Sequence, residues 1–177
     1  MEITEQNLGK LLEAMIMVSK KPLSFSRIKE LLGDFDDKVL KQALKDLQDF
    51  YVDRGIKLSL VSSGYTFVTD NQFKDYLNKL WEEPPTRYSR AFLEVLVIIA
   101  YRQPITRGEI EAIRGVAVSS NMLRTLLEQE WIKVIGHKEV PGRPAIYATT
   151  AEFLDNFGLR SISELPALPD IKELHTL

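Results

Sequence analysis

The residues best suited to chemistry lie in one stretch, HKEVPGRPAIYATT, at 137–150. Arginine is a common phosphate ligand and histidine exchanges a proton near neutral pH, so Arg143 and His137 suggest a phosphate site or proton transfer. A phosphate cradle needs several backbone amides that converge at a helix start, and the nearest predicted start, Thr149, follows the second apolar run. Pro141 and Gly142 fit the central positions of a type II turn. We therefore interpret the stretch as a hairpin with its turn.

Motifs for catalysis and metal binding are missing from the sequence. It has no cysteine, which excludes disulfides, thiolate zinc sites and cysteine nucleophiles. Its two histidines, His137 and His175, form no His-Glu-x-x-His pair, and neither a phosphate-binding glycine loop nor a Gly-x-Ser-x-Gly elbow occurs. We predict a protein that is not an enzyme, with no catalytic residue, cofactor or metal. The rival hypothesis, a hydrolase that uses His137, predicts an activity that His137→Ala removes.

The composition is that of a soluble globular protein. Of 177 residues, 45% are hydrophobic and 27% are charged, with a net charge of −2. The longest apolar run, VLVIIAY at 95–101, is far shorter than the roughly 20 residues that span a bilayer. Basic residues form no dense stripe of the kind that binds phosphates. We therefore predict a cytoplasmic protein that does not bind membranes.

The chain resembles itself at a period near 80 residues. Residues 11–33, LLEAMIMVSKKPLSFSRIKELLG, align with residues 92–115, FLEVLVIIAYRQPITRGEIEAIRG. Gly33 and Gly115 close the two segments at an offset of 82. Such a repeat indicates an internal duplication.

Each copy has the pattern of three helices. The second helix begins after Ser24 in one copy and at a capping box that starts with Thr106 in the other. Gly33 and Gly115 suit the left-handed residue that ends a helix. The first and third helices are predicted over about 6–19 and 37–51 in the first copy, and over about 88–101 and 119–130 in the second.

Alternating apolar residues after each third helix predict a β-hairpin, first in IKLSLVSSGYTFVTD and then in WIKVIGHKEVPGRPAIYATT. Three helices followed by a two-stranded hairpin make a winged-helix domain. We predict a mainly α protein with small β (α+β), built as two tandem winged-helix domains from an internal duplication. The predicted parts are a first domain at 1–80, a linker at 81–88, a second domain at 89–160 and a tail at 161–177.

The third helix of a winged-helix domain is the element that enters the DNA major groove. In the second copy it offers Asn121 and Arg124, but also Glu128 and Glu130, whose carboxylates repel phosphates. We expect DNA contact to be indirect, or weak and nonspecific. The alternative is a tandem winged-helix transcription regulator, which would bind one DNA sequence far more tightly than random duplex.

The helix that opens each copy is more apolar than a single packed face requires. Ala14, Ile16 and Met17 widen the stripe of the first, and only Glu94 is charged between residues 91 and 101. Two explanations remain open. The helix is surrounded by its own small domain, or a second apolar face is covered by another chain.

Two long blocks of the second copy resemble the segregation and condensation protein B (ScpB) family of the bacterial SMC condensin. They are AYRQPITRGEIEAIRG at 100–115 and VPGRPAIYATTAEFLDNFGLRSISELP at 140–166. The resemblance implies a homodimer formed through the first domains and binding to the kleisin ScpA, which connects the chain to the SMC heads. It also implies a non-catalytic role in chromosome condensation and segregation during cell division, in the cytoplasm and associated with the nucleoid.

We expect the first domain to supply self-association and exposed residues of the second to bind the kleisin. The predicted dimer contacts are Leu12, Met15, Met17, Phe50 and Tyr51. The predicted partner contacts are Tyr101, Arg102, Gln103, Arg114, Arg124 and Arg143. His137 and Ala148 stand where the family generally has arginine and glycine, so contacts at the base of the second wing are expected to differ.

Overall fold

The computed structural model describes residues 4–80 and 88–167. It is an α+β structure in which helices dominate and two small sheets complete the fold, as predicted. The predicted linker and tail therefore lie largely outside the described residues. No helix in the described ranges is long and apolar enough to cross a membrane.

The first half contains three helices, a hairpin and a short fourth helix. Ser24 caps the second helix by accepting a hydrogen bond from the backbone N–H of Arg27 at 3.2 Å, as predicted. The elements are α1 (Glu5–Val18), α2 (Phe25–Leu31), α3 (Asp37–Phe50), β1 (Ile56–Val61), β2 (Gly64–Thr69) and α4 (Lys74–Leu77).

The second half repeats this order and adds a two-residue strand. Thr106 and Glu109 form the predicted capping box, and Gly115 ends the helix in the left-handed conformation with φ 73°. The repeated order agrees with two winged-helix copies. The elements are α5 (Arg90–Arg102), β3 (Ile105–Thr106), α6 (Arg107–Arg114), α7 (Ser120–Glu128), β4 (Ile132–His137), β5 (Ala145–Thr149) and α8 (Ala151–Asn156).

The prediction that Gly33 ends α2 in a left-handed conformation is wrong. The helix stops at Leu31, Leu32 is its C-cap, and the φ of Gly33 is outside the left-handed range. The backbone N–H of Phe35 donates to the carbonyl of Leu32 at 3.0 Å, and the Phe35 ring packs against the core. This turn redirects the chain, so no left-handed residue is needed.

Strand β3 was not predicted, because two residues are too short to show an alternating pattern. Ile105 pairs with Tyr147, so the second sheet has the order β3-β5-β4. In the first half Leu23, at the position equivalent to Ile105, forms an isolated bridge with Tyr65. Both halves thus fix the chain ahead of the second helix to the hairpin.

The buried apolar side chains form two separate clusters, one in each half. In the first, α1 and α3 pack together and the hairpin covers them. In the second, α5 lies at the centre. The first cluster is Leu8, Leu12, Ile16, Ile28, Leu40, Leu44, Leu47, Tyr51 and Leu58. The second includes Phe92, Val95, Leu96, Ile99, Ile105, Ile110, Val118, Leu123, Leu126, Trp131, Ile132 and Phe153.

Candidate interaction surfaces

A shallow apolar groove runs between α1 and α3 on the first half. Its volume is about 380 Å³, and its walls include Gly9, Glu13, Ala43 and Phe50. Met17 lies one helical turn beyond Glu13, on the same side of α1. Met17 and Phe50 are 54% and 55% exposed. We call these five residues the α1–α3 surface, and we take it as the candidate self-association face.

Two of the predicted dimer contacts lie inside the first half instead of on this surface. Leu12 is fully buried in the core, and Tyr51 is 7% exposed. The Tyr51 hydroxyl donates to Oε1 of Glu13 at 2.6 Å, and this hydrogen bond raises the pKa of the hydroxyl. Leu12 and Tyr51 cannot contact a partner while the fold is intact, so the prediction is wrong for both. Met15 is half-buried.

Gln103, predicted as an exposed partner contact, is a structural residue. Its Oε1 accepts hydrogen bonds from the backbone N–H and the hydroxyl of Thr149, at 2.7 and 3.0 Å. Its Nε2 donates to the carbonyl of Ala100 at 3.1 Å. The side chain therefore ties the end of α5 to β5, and the prediction of a free surface amide is wrong.

Arg114, also predicted to be exposed, is largely covered at the end of α6. Its side chain is only 9% exposed. Nη2 lies 3.4 Å from Oε2 of Glu94, and Nη1 donates to the carbonyl of Ala117 at 3.4 Å. Its Nε is buried without a hydrogen-bond partner in the described part of the chain. Arg114 thus holds α5 and the loop after α6 together, and the prediction of exposure is wrong.

Tyr101 and Arg102, at the end of α5, differ in their surroundings. The Tyr101 hydroxyl donates to the carbonyl of Pro166 at 2.5 Å, which fixes the segment that follows α8. Arg102 is exposed and has no hydrogen-bond or ion-pair partner within residues 4–80 and 88–167. Arg102 is therefore a cation available to bind another molecule.

Arg124 and Arg143 are exposed, as predicted, but each is paired with a carboxylate of its own element. Nε of Arg124 lies 3.6 Å from Oε1 of Glu128 on α7, and Nη2 of Arg143 lies 3.0 Å from Oε1 of Glu139 in the wing. Exposed ion pairs add little stability. They do lower the positive charge that the third helix and the wing would present to a nucleic acid.

A further ion pair connects the second wing to the start of α6. Nζ of Lys138 lies 2.6 Å from Oε1 of Glu109. Oε2 of Glu109 accepts hydrogen bonds from the backbone N–H and the hydroxyl of Thr106, at 2.8 and 2.7 Å. These hydrogen bonds lower the pKa of the Glu109 carboxyl from 4.5 to about 2, and the one from Lys138 has the largest effect. The wing base and the helix start are therefore joined by one carboxylate.

The turn of the second wing has the predicted conformation. The Arg143 N–H donates to the carbonyl of Val140 at 2.9 Å, and Gly142 has φ 84°, as a type II turn requires. His137 is exposed at the end of β4. Within the described residues, no three His, Cys, Asp or Glu side chains form a group that fits a metal ion. The phosphate hypothesis for this stretch gains no support.

The sequence pointed to a second apolar face on α5 but did not locate it. One stripe of the helix is buried in the core, whereas Leu93 and Val97 are 41% and 45% exposed on another. Phe157, just after α8, is 48% exposed beside them. One side of α5 is therefore buried in its own half, and a second apolar face is exposed. The near absence of charged residues in α5 indicated that such a face exists. The sequence could not show where on α5 it lies, because that depends on where α8 packs.

Comparison with known proteins adds information that the geometry does not contain. The model of the family described as "Segregation and condensation complex subunit ScpB" matches residues 10–168. The "Segregation and condensation protein B homolog" of Coxiella burnetii is 45% identical over 178 residues, which cover 99% of this chain and 85% of that protein. The "Segregation and condensation protein B" of Symbiobacterium thermophilum is 45% identical over 163 residues, which cover 90% of this chain and 74% of that protein.

A solved structure gives a similar match in sequence. The crystal structure of ScpB from Mycobacterium tuberculosis is 31% identical and covers 90% of this chain and 99% of its own, with a TM-score of 0.42. That TM-score is too low to compare the shapes, so the assignment depends on the sequence matches. On that basis the chain belongs to the segregation and condensation complex subunit ScpB family.

Proposed function

We propose that this protein is a non-catalytic adaptor of the SMC–kleisin complex that binds the kleisin ScpA as a homodimer. It acts in chromosome condensation and segregation during cell division, in the cytoplasm beside the nucleoid, and reaches the SMC heads through the kleisin. The observation that carries the proposal is the family match over residues 10–168. The sequence provides no constellation of catalytic residues that would compete with it.

The proposed division of labour assigns residues 1–80 to self-association and 89–160 to the kleisin, with a linker at 81–88 and a tail at 161–177. The two separate apolar clusters support this division, since each half can bury its own core. A stable homodimer should bury at least about 1,000 Å² in total.

The α1–α3 surface is the proposed self-association face. Met17 and Phe50 lie on it, and a flexible methionine adapts well to a partner. Met15 is half-buried and, two residues from Met17, is not on the same side of α1. The guanidinium of Arg54 lies 4.0 Å from the centre of the Phe50 ring, so one face of that ring is already covered. A partner chain would therefore reach the opposite face and the groove beside Gly9.

The proposed kleisin surface keeps the accessible members of the predicted set: Tyr101, Arg102, Arg124 and Arg143. Arg102 contributes a free cation, whereas Arg124 and Arg143 must exchange an internal carboxylate for one on the partner. Gln103 and Arg114 act behind this surface as positioning residues. The alternative function, sequence-specific transcription regulation, is not favoured because the cations of α7 and the wing are paired.

Co-purification tests the adaptor role. The chain should form a tight complex with the ScpA kleisin encoded in the same genome, and Arg124→Glu should weaken it. Lys45→Glu makes the same charge change on exposed α3 of the first half and should leave the complex intact. Failure of the unmodified chain to bind the kleisin would contradict the proposal.

Light scattering tests the homodimer separately. The unmodified chain should be a dimer at micromolar concentration, and Met17→Glu with Phe50→Glu should shift it towards the monomer. Val134→Glu changes an apolar residue of comparable exposure on β4 and serves as the control. A monomer in every case would rule out self-association but not kleisin binding.

A further inference from the structure

A stripe of three lysines lies on the third helix of the first half. Lys38, Lys41 and Lys45 are spaced three and four residues apart on α3, which places them on one side of the helix. All three are exposed, and in the described part of the chain none has a hydrogen-bond or ion-pair partner. Lys41 acts on Asp37 only at longer range, and its Nζ lies 5.2 Å from the centre of the Phe25 ring. We call these three residues the α3 lysine stripe.

The equivalent helix of the second half has a different charge pattern. When α3 and α7 are aligned at their N-caps, Lys41 corresponds to Arg124 and Lys45 corresponds to Glu128. Arg124 and Glu128 form an ion pair across one helical turn, with Nε 3.6 Å from Oε1. In α3 the same two positions carry like charges, an arrangement that destabilises a helix. The first half therefore keeps two cations without a carboxylate where the second half has a neutral pair.

The carboxylates nearest to the stripe along the chain are engaged or lie at its end. Oδ1 of Asp37 lies 2.5 Å from Nζ of Lys29, and Oδ1 of Asp46 accepts a hydrogen bond from Nε2 of Gln42 at 2.7 Å. Asp49 is exposed one turn beyond the last lysine, so it limits the stripe at that end. The free positive charge is thus confined to the part of α3 between residues 38 and 45.

This stripe suits DNA phosphates better than a protein partner. Lysine binds phosphate as a point charge, whereas it is depleted at the centres of protein interfaces, where aromatic residues are enriched. The side of α3 that carries the stripe adds only polar and charged residues, namely Gln42, Gln48 and Asp49. Lys38 and Lys45 are about 10 Å apart along the helix, a length over which one DNA strand presents about three phosphates.

We propose that the α3 lysine stripe binds the phosphate backbone of double-stranded DNA, without sequence preference. Lys45 and Ala43 are two residues, or about 200°, apart on α3, so the stripe and the α1–α3 surface lie on different sides of the helix. The turn of the first wing takes no part, because the N–H groups of Ser62 and Ser63 are engaged by the second half. The proposal does not depend on the kleisin or on the homodimer.

Fluorescence anisotropy with a labelled random-sequence DNA duplex tests this site in the full chain. The unmodified chain should bind the duplex at about 50 mM salt and release it as the salt concentration rises. Each phosphate contact contributes about 0.9 to the slope of log K against log salt, so Lys41→Gln with Lys45→Gln should lower the slope by about 2 and weaken binding at least about tenfold. The matched control is Lys74→Gln with Lys79→Gln, two exposed lysines in and just after α4, which should leave the slope unchanged.

A gain of affinity gives a test that a folding defect cannot mimic. Asp49→Lys extends the stripe by one helical turn, so it should raise the slope by about 0.9 and strengthen binding at least about twofold. Unchanged affinity in this variant would contradict the proposed path of the DNA strand along α3.

Three other outcomes would overturn the proposal. The first is no binding of the duplex by the unmodified chain at about 50 mM salt. The second is the same slope for the unmodified chain, the stripe variant and the α4 control. The third is displacement of the labelled duplex by polyglutamate as effectively as by unlabelled duplex at equal charge concentration, which would make an acidic protein segment the occupant.

Discussion

The backbone N–H of Ser63 donates a hydrogen bond to Oδ1 of Asp155 at 2.9 Å, which connects the turn of the first hairpin to α8 in the second half. Next to it, the N–H of Ser62 donates to the carbonyl of Leu159 at 3.0 Å. The two halves do not share an apolar core. The hydrogen bonds of this turn therefore help to position one half against the other.

Asp155→Ala should weaken this contact. Loss of a hydrogen bond to a carboxylate costs about 1 kcal/mol at a partly exposed site, so exchange of the Ser63 amide should rise about fivefold. Hydrogen exchange followed by NMR measures it. Asp75→Ala is a matched control, since Asp75 occupies the equivalent position of the repeat on α4 and has no partner in the described ranges. Unchanged exchange at Ser63 would mean that the bond does not form in solution.

The Glu109 carboxylate should make stability depend on acid pH. Its pKa is about 2 in the folded chain against an ordinary 4.5, so its stabilisation is complete above about pH 5 and is lost as the pH falls towards 2. Glu109→Gln should lower the Tm at pH 7, and the difference from the unmodified chain should shrink between pH 5 and 2. Thermal melts across this range measure the effect.

Glu139→Gln is the control for that series. Among the described residues Glu139 pairs only with exposed Arg143, so its removal should change the Tm little at any pH. A Tm difference for Glu109→Gln that stays constant from pH 7 to pH 2 would contradict the role of the Lys138–Glu109–Thr106 cluster.

Gly64→Ala should destabilise the first half strongly. A Cβ at this position would lie 2.3 Å from the carbonyl oxygen of Leu23, and Gly64 has φ 146°, which side chains rarely adopt. We expect a loss of about 2–4 kcal/mol in urea unfolding. Gly108→Ala, in α6 with open space around it, should change stability by less than about 1 kcal/mol and in the stabilising direction. Equal urea midpoints for Gly64→Ala and Gly108→Ala would contradict the close contact between Gly64 and the Leu23 carbonyl.

Gln103→Ala should destabilise the second half, whereas Arg102→Ala should not. Removing the Gln103 amide leaves the Thr149 N–H without its acceptor, which costs about 1–3 kcal/mol. Arg102 is exposed without a partner among the described residues, so its truncation should stay within about 0.5 kcal/mol. Urea titration of both variants separates the positioning residue from the surface one.

Local signals in the sequence predicted much of the fold. The Thr106 capping box, the Gly115 helix end and the Pro141–Gly142 turn each depend on a few neighbouring residues, and all three are confirmed. The prediction for Gly33 is wrong because α2 ends in a turn between Leu32 and Phe35 instead of at a left-handed glycine. Phe35 packs against the core, which holds this turn in place.

The candidate contacts were harder to predict because exposure depends on distant residues. Leu12 belongs to a core that α3 completes, Gln103 is engaged by Thr149 on β5, and Arg114 is covered where α5 and α6 meet. Helical periodicity assigns a residue to one side of its own helix. It does not say which other element covers that side.

The ion pairs of the second wing and α7 affect how strongly this surface can bind DNA. A protein held on DNA by free lysines and arginines gains its affinity by releasing condensed counterions. Arg124, Lys138 and Arg143 already have carboxylate partners, so little such release is available to them. Under the proposed function, these three cations would add little to the retention of the chain on DNA.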